Sequence, residues 1–184
     1  KIKYGHPLSP SLPGRLAASE IEHAREDIAF LIGAKNANQI IFTTGATQGC
    51  EWGLNILKNI SCNDLVNYST DLSISMSQFE HNAVYDAATN IFQNDIKYLK
   101  NNSDGIVFNK LLKFPQNKTD KIVCMHVQNE IGTIQPIKEL KQNCKYLFSD
   151  MTQSFGKIPV NVTELNVDIA IGSSHKFGGP SGVG

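Results

Sequence analysis

The sequence predicts an α/β fold, in which a mostly parallel sheet carries helices on both faces. Short runs rich in β-branched and aromatic residues alternate with segments whose apolar residues recur at helical spacing. Alternation of this kind indicates strand–helix–strand crossover units, which place successive strands parallel. Polar residues also follow the ends of several strand-like runs. A length of 184 residues allows one substantial core, so we expect one main domain.

The first half of the chain is predicted to begin with an arm or loop over residues 1–14, which is rich in Pro, Gly and Ser. The main domain is expected to cover 15–184. A helix is predicted over 15–31, where apolar residues have helical spacing and Gly33 supplies a stop. The further predictions are a strand over 39–43, a helix carrying Trp52, Leu54 and Leu57, a strand over 74–79, a helix over 81–92 and a strand over 96–99.

The second half shows clearer apolar runs of strand length. We predict strands over 121–127, 146–149 and 167–171, and a helix over 136–144. The strand over 146–149 ends at Asp150, and the last strand leads into the segment that contains Lys176. No internal repeat or low-complexity tract interrupts this pattern.

Composition argues against several classes of protein. The formal net charge is zero, and a nucleic-acid or anionic-membrane partner usually requires a basic surface. No apolar run approaches the roughly 20 residues of a membrane-spanning helix, and residues 1–15 contain no apolar signal core. The four cysteines, Cys50, Cys62, Cys124 and Cys144, form no CxxC pair, so we expect unpaired thiols in the cytoplasm and no metal site.

Residues with reactive or hydrogen-bonding side chains follow four of the predicted strands. These are Thr47, Asn129, Asp150 and Lys176. Ligands of open α/β sheets bind beyond the carboxyl ends of the strands, so we expect these residues to surround one crevice.

The segment TTGATQ (43–48) joins a predicted strand to a predicted helix through small residues. Backbone N–H groups at a helix N-terminus attract anions, and a phosphate suits such a turn. The alternative is an ordinary helix start with Thr44 or Thr47 as its N-cap. The Walker and dinucleotide-binding glycine patterns are both absent.

Lys176 stands just beyond a predicted buried strand and among small residues. Partial desolvation there would make its amine a nucleophile for a carbonyl group, whereas the alternative is a surface lysine in a Gly/Pro loop. Asp150 could keep a pyridine nitrogen protonated, or could be a turn aspartate. His81, at a predicted helix start, could stack on an aromatic cofactor or could be a capping histidine.

Together these motifs resemble the cysteine desulfurases, which belong to the class-V aminotransferase-like, fold-type I enzymes that depend on pyridoxal 5′-phosphate (PLP). The resemblance spans almost the whole chain, and NEIG (129–132) favours the branch that serves iron–sulfur cluster assembly. The matching segments are YGHP (4–7) with Ser9, IFTTGAT (41–47), EHNAV (80–84), HVQNEIGTIQ (126–135), DMTQSFGK (150–157) and SSHKFGGP (173–180).

The resemblance implies a three-layer α/β/α fold and specific roles for residues of this chain. Lys176 would hold PLP covalently, and His81 would stack on its ring and assist proton transfer, which makes these two the predicted catalytic residues. The predicted cofactor-binding set also contains Thr47, Ser173, His175 and the backbone around Ala46 for the phosphate, Asp150 for the ring nitrogen, and Gln153 and Asn129 for the ring oxygen and the substrate.

The implied activity is removal of sulfur from L-cysteine to give alanine, with transfer of the sulfur to an enzyme cysteine. A homodimer and a sulfur-acceptor or scaffold protein are the implied partners. In this family the accepting cysteine and a carboxylate-binding arginine lie well downstream of the PLP lysine, so the chain resembles a large-domain fragment without its small domain, which we expect to be inactive by itself. The alternatives are a related fold-type I enzyme, such as an aminotransferase or a selenocysteine lyase, and a non-catalytic truncated scaffold.

Overall fold

The computed structural model of the chain describes residues 5–60, 73–107 and 119–184. These residues form two compact units. One contains the described residues up to Ile41 together with Asn161–Thr163, and the other contains those of Phe42–Val160 and Glu164–Gly184. The predicted division into an arm over 1–14 and a domain over 15–184 stays a prediction.

The first unit is built on helix α1, Leu12–Ile32. It begins three residues before the predicted start, because the side chain of Ser11 caps it by accepting the N–H of Gly14, and proline is well tolerated at Pro13 in the first turn. The helix ends where predicted, at Gly33, whose φ of 69° is left-handed. A short 3₁₀ turn, Ala37–Gln39, follows.

The second unit contains a five-stranded sheet in which every strand pair is parallel. The predicted α/β fold with a parallel sheet is therefore confirmed. The spatial order is β2-β1-β3-β4-β5, so the chain reverses its direction of travel across the sheet between β1 and β3. Such a reversal opens a crevice at the carboxyl ends of the strands. The strands are β1 (Ile74–Met76), β2 (Ile96–Tyr98), β3 (Thr119–Val123), β4 (Cys144–Asp150) and β5 (Ile169–Ile171).

Crossover connections between parallel strands are right-handed, and this handedness decides which face of the sheet each connecting helix covers. Helix α3 (Asn82–Phe92) links β1 to β2 and α4 (Ile137–Lys141) links β3 to β4. These two steps run in opposite directions across the sheet, which puts α3 and α4 on opposite faces. Helix α2 (Ala46–Ile60) packs against α3, and both share the main core cluster.

The core lies between the sheet and helices α2 and α3. Leu54 of α2, Met76 of β1 and Phe148 of β4 are completely buried there. Side chains alternate along a strand, so Ile122 and Leu147 face the other side, where they too are completely buried. Close packing of α2 depends on Gly53, because a Cβ atom at that position would lie 2.8 Å from Cε2 of Phe148.

The predicted strand over 39–43 is wrong. Residues 37–39 form the 3₁₀ turn, and residues 40–43 have no strand assignment. Of these four, Thr43 exchanges two backbone hydrogen bonds, with Gly184 at 2.8 and 3.1 Å. The β-branched composition of residues 39–43 favours an extended backbone, but a strand also needs a partner along its length.

Several other predicted elements exist with shifted ends. The strand predicted over 74–79 ends at Met76, and the helix predicted over 136–144 ends at Lys141, because Cys144 already belongs to β4. The run after β3 continues as extended backbone, since the N–H of Cys124 donates to Phe148 and that of His126 donates to Asp150. Within the three described ranges, no helix is both long enough and apolar enough to cross a bilayer.

Candidate active site

A cavity of about 530 Å³ opens at the carboxyl ends of the strands in the second unit. Its volume falls within the range of about 300–1,000 Å³ that is usual for small-molecule sites. The walls come from the first turn of α2 and from the segments that follow β1, β3, β4 and β5. All nine residues predicted for the site line this cavity: Ala46, Thr47, His81, Asn129, Asp150, Gln153, Ser173, His175 and Lys176.

The first wall is the N-terminus of α2. Gly45 has a φ of 138°, which is strained for other residues. Helix α2 begins directly after it, and its first residues, Ala46 and Thr47, line the cavity. Within the described ranges, the N–H groups of Ala46 and Thr47 have no protein acceptor, and neither Thr44 nor Thr47 accepts an N–H of the first turn. The capped-start alternative is therefore not supported, and these donors face a space suited to an anion.

The second wall follows β5. The hydroxyl of Ser173 lies 2.8 Å from Nδ1 of His175, and Ser173 itself is only 2% exposed. Lys176 follows in a short 3₁₀ turn that ends at Gly178. The Lys176 side chain is exposed, so the partial desolvation that we expected from the sequence is not found. Its amine is accessible from the cavity that it lines.

The third wall follows β4. Asp150 is the last residue of that strand and is 5% exposed, and its Oδ1 accepts the N–H of Thr152 at 2.9 Å. No hydrogen bond from a described residue reaches Oδ2, so this oxygen remains for a ligand in the cavity. The Oε1 atom of Gln153 accepts from Nζ of Lys157, which leaves the amide N–H₂ of Gln153 as a donor.

The fourth wall contains His81 and Asn129. His81 is the N-cap of α3, and its Nδ1 accepts the N–H of Ala83 at 3.1 Å. Because Nδ1 is an acceptor, the neutral ring carries its proton on Nε2. His81 is therefore a capping histidine and a cavity residue at once. Asn129 lies in a tight turn in which Oε1 of Gln128 accepts the N–H of Ile131 at 2.8 Å.

Burial dominates the electrostatics behind these walls. It raises the pKa of Glu80 to about 8, and the nearby charge of Asp150 acts in the same direction. Burial also raises the pKa of the Cys50 and Cys124 thiols above their ordinary value. Both thiols are fully buried, so they stay protonated and unreactive. Cys144 is buried as well, and Cys62 lies outside the described residues.

Some lining residues were not predicted. Thr152 lies two positions after Asp150, and this closeness to a predicted site residue could have identified it as a lining residue. Its Oγ1 is buried without a partner among the described residues. Met125 carries no chemical signal because its side chain is apolar. Within residues 5–60, 73–107 and 119–184, no group of His, Cys, Asp and Glu is arranged to hold a metal ion. The other unpredicted lining residues are Thr44, Gly45, Ala83, Ser181 and Gly182.

Comparison with known proteins decides the family. The family model described as aminotransferase class-V matches residues 9–184. The chain belongs to the aminotransferase class-V family. This family match covers every element that lines the cavity.

The proteins that this chain resembles include the one named cysteine desulfurase IscS of Rickettsia bellii. It is 38% identical over 190 residues, which cover 99% of this chain and 45% of that protein. A solved structure described as a NifS-like protein superposes with a TM-score of 0.81 at 30% identity, over 97% of this chain and 50% of the other. Another, described as SspA in complex with cysteine, has a TM-score of 0.81 at 27% identity, over 98% and 52% of the two chains. The chain thus spans about half the length of the relatives that it matches.

Proposed function

We propose that this chain forms the PLP-binding part of a cysteine desulfurase. The observation that carries the proposal is that Lys176, Asp150 and the first turn of α2 line one and the same cavity. The similarity to proteins named cysteine desulfurase, over nearly the whole chain, supports the same function.

The residues of the cavity fit PLP at each of its functional groups. The unpaired N–H groups of Ala46 and Thr47, with the Ser173–His175 pair, suit a phosphate. The buried Asp150 offers an acceptor oxygen to a protonated ring nitrogen. Lys176 offers an amine to an aldehyde.

When bound, PLP supplies an electron sink that makes the α-proton of an amino acid more acidic. The residues of this chain would do the rest. His81, whose Nδ1 accepts the N–H of Ala83, would stack on the cofactor ring and move a proton at Nε2. Gln153 would donate its amide N–H₂ to the ring oxygen, and Asn129 would orient the bound amino acid. Lys176 would release the cofactor when substrate enters and hold it again when product leaves.

The proposed overall reaction moves one sulfur atom. The Cβ–S bond of L-cysteine breaks, an S–S bond forms at an enzyme cysteine thiol, and Cβ gains the proton that completes alanine. Cys50 and Cys124 do not suit the accepting role because both thiols are completely buried. We place the accepting cysteine and the carboxylate-binding arginine in the part of the intact protein that this chain does not contain.

The intact protein is proposed to be a cytoplasmic homodimer that delivers sulfur to an acceptor or scaffold protein for iron–sulfur cluster assembly or thiolation. The relatives' names support the desulfurase activity, and one structural neighbour is described as a complex with cysteine. The dimer, the acceptor and the compartment come from the family resemblance.

The test uses the intact protein that contains this chain, purified and mixed with PLP. We expect a near-visible absorption band from covalently bound cofactor, which Lys176→Ala removes and Lys138→Ala, an exposed lysine of α4, retains. Release of sulfide and alanine from L-cysteine should accompany the band. Transamination, or selenide release from selenocysteine without sulfide release from L-cysteine, would favour the related fold-type I enzymes. Absence of the band in the wild-type protein would favour a non-catalytic scaffold.

A further inference from the structure

Glu80 immediately precedes His81, yet its carboxyl group turns away from the cavity into the interior. Its Oε1 accepts the backbone N–H of Met125 at 2.7 Å. Met125 is 2% exposed and lies just beyond β3, where it lines the cavity. One side chain thus joins the loop after β1 to the backbone after β3, on either side of the point where the strand order reverses.

We propose that Glu80 is a positioning residue of this site, whose uncharged carboxyl group clamps the loop that carries His81 to the end of β3. The inference rests on the proposed function for the identity of the ligand. The clamp itself is a property of this chain's own residues, and it can be tested without the ligand.

The surroundings of Glu80 favour the uncharged form. Its Oε2 is buried and has no hydrogen-bond partner among the described residues. The titratable groups that act on it electrostatically are Asp150 of β4, Cys50 of α2 and Cys124 after β3, and none of them is cationic. An ionised carboxylate would place an unpaired charge in this interior beside Asp150, which is costly. The raised pKa of about 8 agrees with this geometry.

The clamp matters because it fixes the distance between two walls of the cavity. His81 is fixed to α3 by its own cap, and Glu80 in turn fixes the start of that helix to the end of β3. Without an acceptor at position 80, the N–H of Met125 would be buried and unpaired, which is unfavourable. The His81 ring would then lose its fixed distance from the residues that follow β3 and β4.

The experiment compares Glu80→Gln, Glu80→Leu and Glu51→Gln in the intact protein. Glutamine keeps an oxygen for Met125 and resembles the uncharged acid, leucine fills a similar volume without an acceptor, and Glu51 is an exposed acid of α2 that serves as the control. The two measurements are the urea midpoint of the cofactor-free protein at pH 7 and the dissociation constant of PLP.

We expect Glu80→Leu to have a lower urea midpoint than Glu80→Gln and to bind PLP about tenfold more weakly, and Glu80→Gln to keep the PLP affinity of Glu51→Gln with a urea midpoint at or above that of Glu51→Gln. Equal PLP affinity for the leucine and glutamine variants would overturn the inference, because filling the space would then suffice. Loss of affinity in both would also overturn it, since the ionised form would then be required. If the wild-type protein fails to bind PLP, the proposed function fails, while the urea midpoints still decide whether the clamp exists.

Discussion

Nδ1 of His81 accepts the N–H of Ala83 at 3.1 Å, so the ring proposed to meet the cofactor is also the N-cap of helix α3. The helix fixes both the position of the ring and its tautomer. A single substitution at this residue would therefore change stability and ligand binding together, unless the two roles are separated.

Replacement of His81 by asparagine and by alanine separates the two roles. Asparagine is a strong N-cap, whereas alanine is a poor one and costs about 1 kcal/mol in typical helices. We expect His81→Ala to lower the free energy of unfolding by about that amount and His81→Asn to preserve it, as measured by urea denaturation. Both variants should lose the stacking ring and show a changed spectrum of bound PLP. An asparagine variant with the wild-type spectrum would contradict the proposed contact.

Gly53 is a point of close approach between α2 and strands β4 and β5. A Cβ atom there would lie 2.8 Å from Cε2 of Phe148 and 2.9 Å from Cγ2 of Ile169. Alanine usually stabilises a helix by about 1 kcal/mol relative to glycine, but overpacking costs about 1–3 kcal/mol. We expect Gly53→Ala to reduce the free energy of unfolding in urea.

Gly49 provides the matched control in the same helix. A Cβ atom at that position would meet Cγ2 of Ile171 at 3.3 Å, a contact that a small shift relieves. Gly49→Ala should therefore cost less than Gly53→Ala. Equal effects of the two substitutions would refute the tight packing at Gly53.

The sequence predicted the parallel sheet and the group of residues around the cavity for one physical reason. Parallel strands end at one edge, so residues just after them meet there whatever the exact strand lengths are. Asp150 and Lys176 illustrate this, because both line the cavity although β4 is longer and β5 shorter than predicted. Their roles towards a cofactor stay predictions.

The features that the sequence did not predict depend on distant parts of the chain. In the run over 39–43, Thr43 has its hydrogen-bonding partner at Gly184, 141 positions away, so composition alone suggested a regular strand. The sequence carried no prediction for Glu80 beyond its place in the segment EHNAV (80–84). Its burial and its bond to Met125 appear only when the end of β3 is placed beside it.

Cys50 and Cys124 should resist alkylation in the native protein. Both side chains are completely buried, and burial raises the pKa of each thiol, so the reactive thiolate is scarce even at pH 9. We expect mass spectrometry after iodoacetamide treatment to find these two unmodified in the folded protein and modified in guanidinium chloride. Rapid native labelling of either thiol would show that its surroundings open readily.

The pH dependence of stability should reveal the proton on Glu80. Its pKa is about 8 in the folded protein and near the ordinary 4.5 when unfolded, so between these values the folded state holds one proton more. The contribution of Glu80 to the free energy of unfolding should then fall as pH rises from 4.5 towards 8, by at most about 1.4 kcal/mol per pH unit, and level off above pH 8.

Glu80→Gln isolates this contribution, because glutamine does not titrate and every other group is unchanged. We expect urea denaturation between pH 5 and pH 9 to show the variant gaining stability relative to the wild type up to about pH 8 and keeping a constant difference above it. Since a solvated Glu80 would titrate at the same pH in the folded and unfolded states, parallel profiles for the two proteins would mean that the carboxyl group is not buried. The clamp to Met125 would then have to be abandoned.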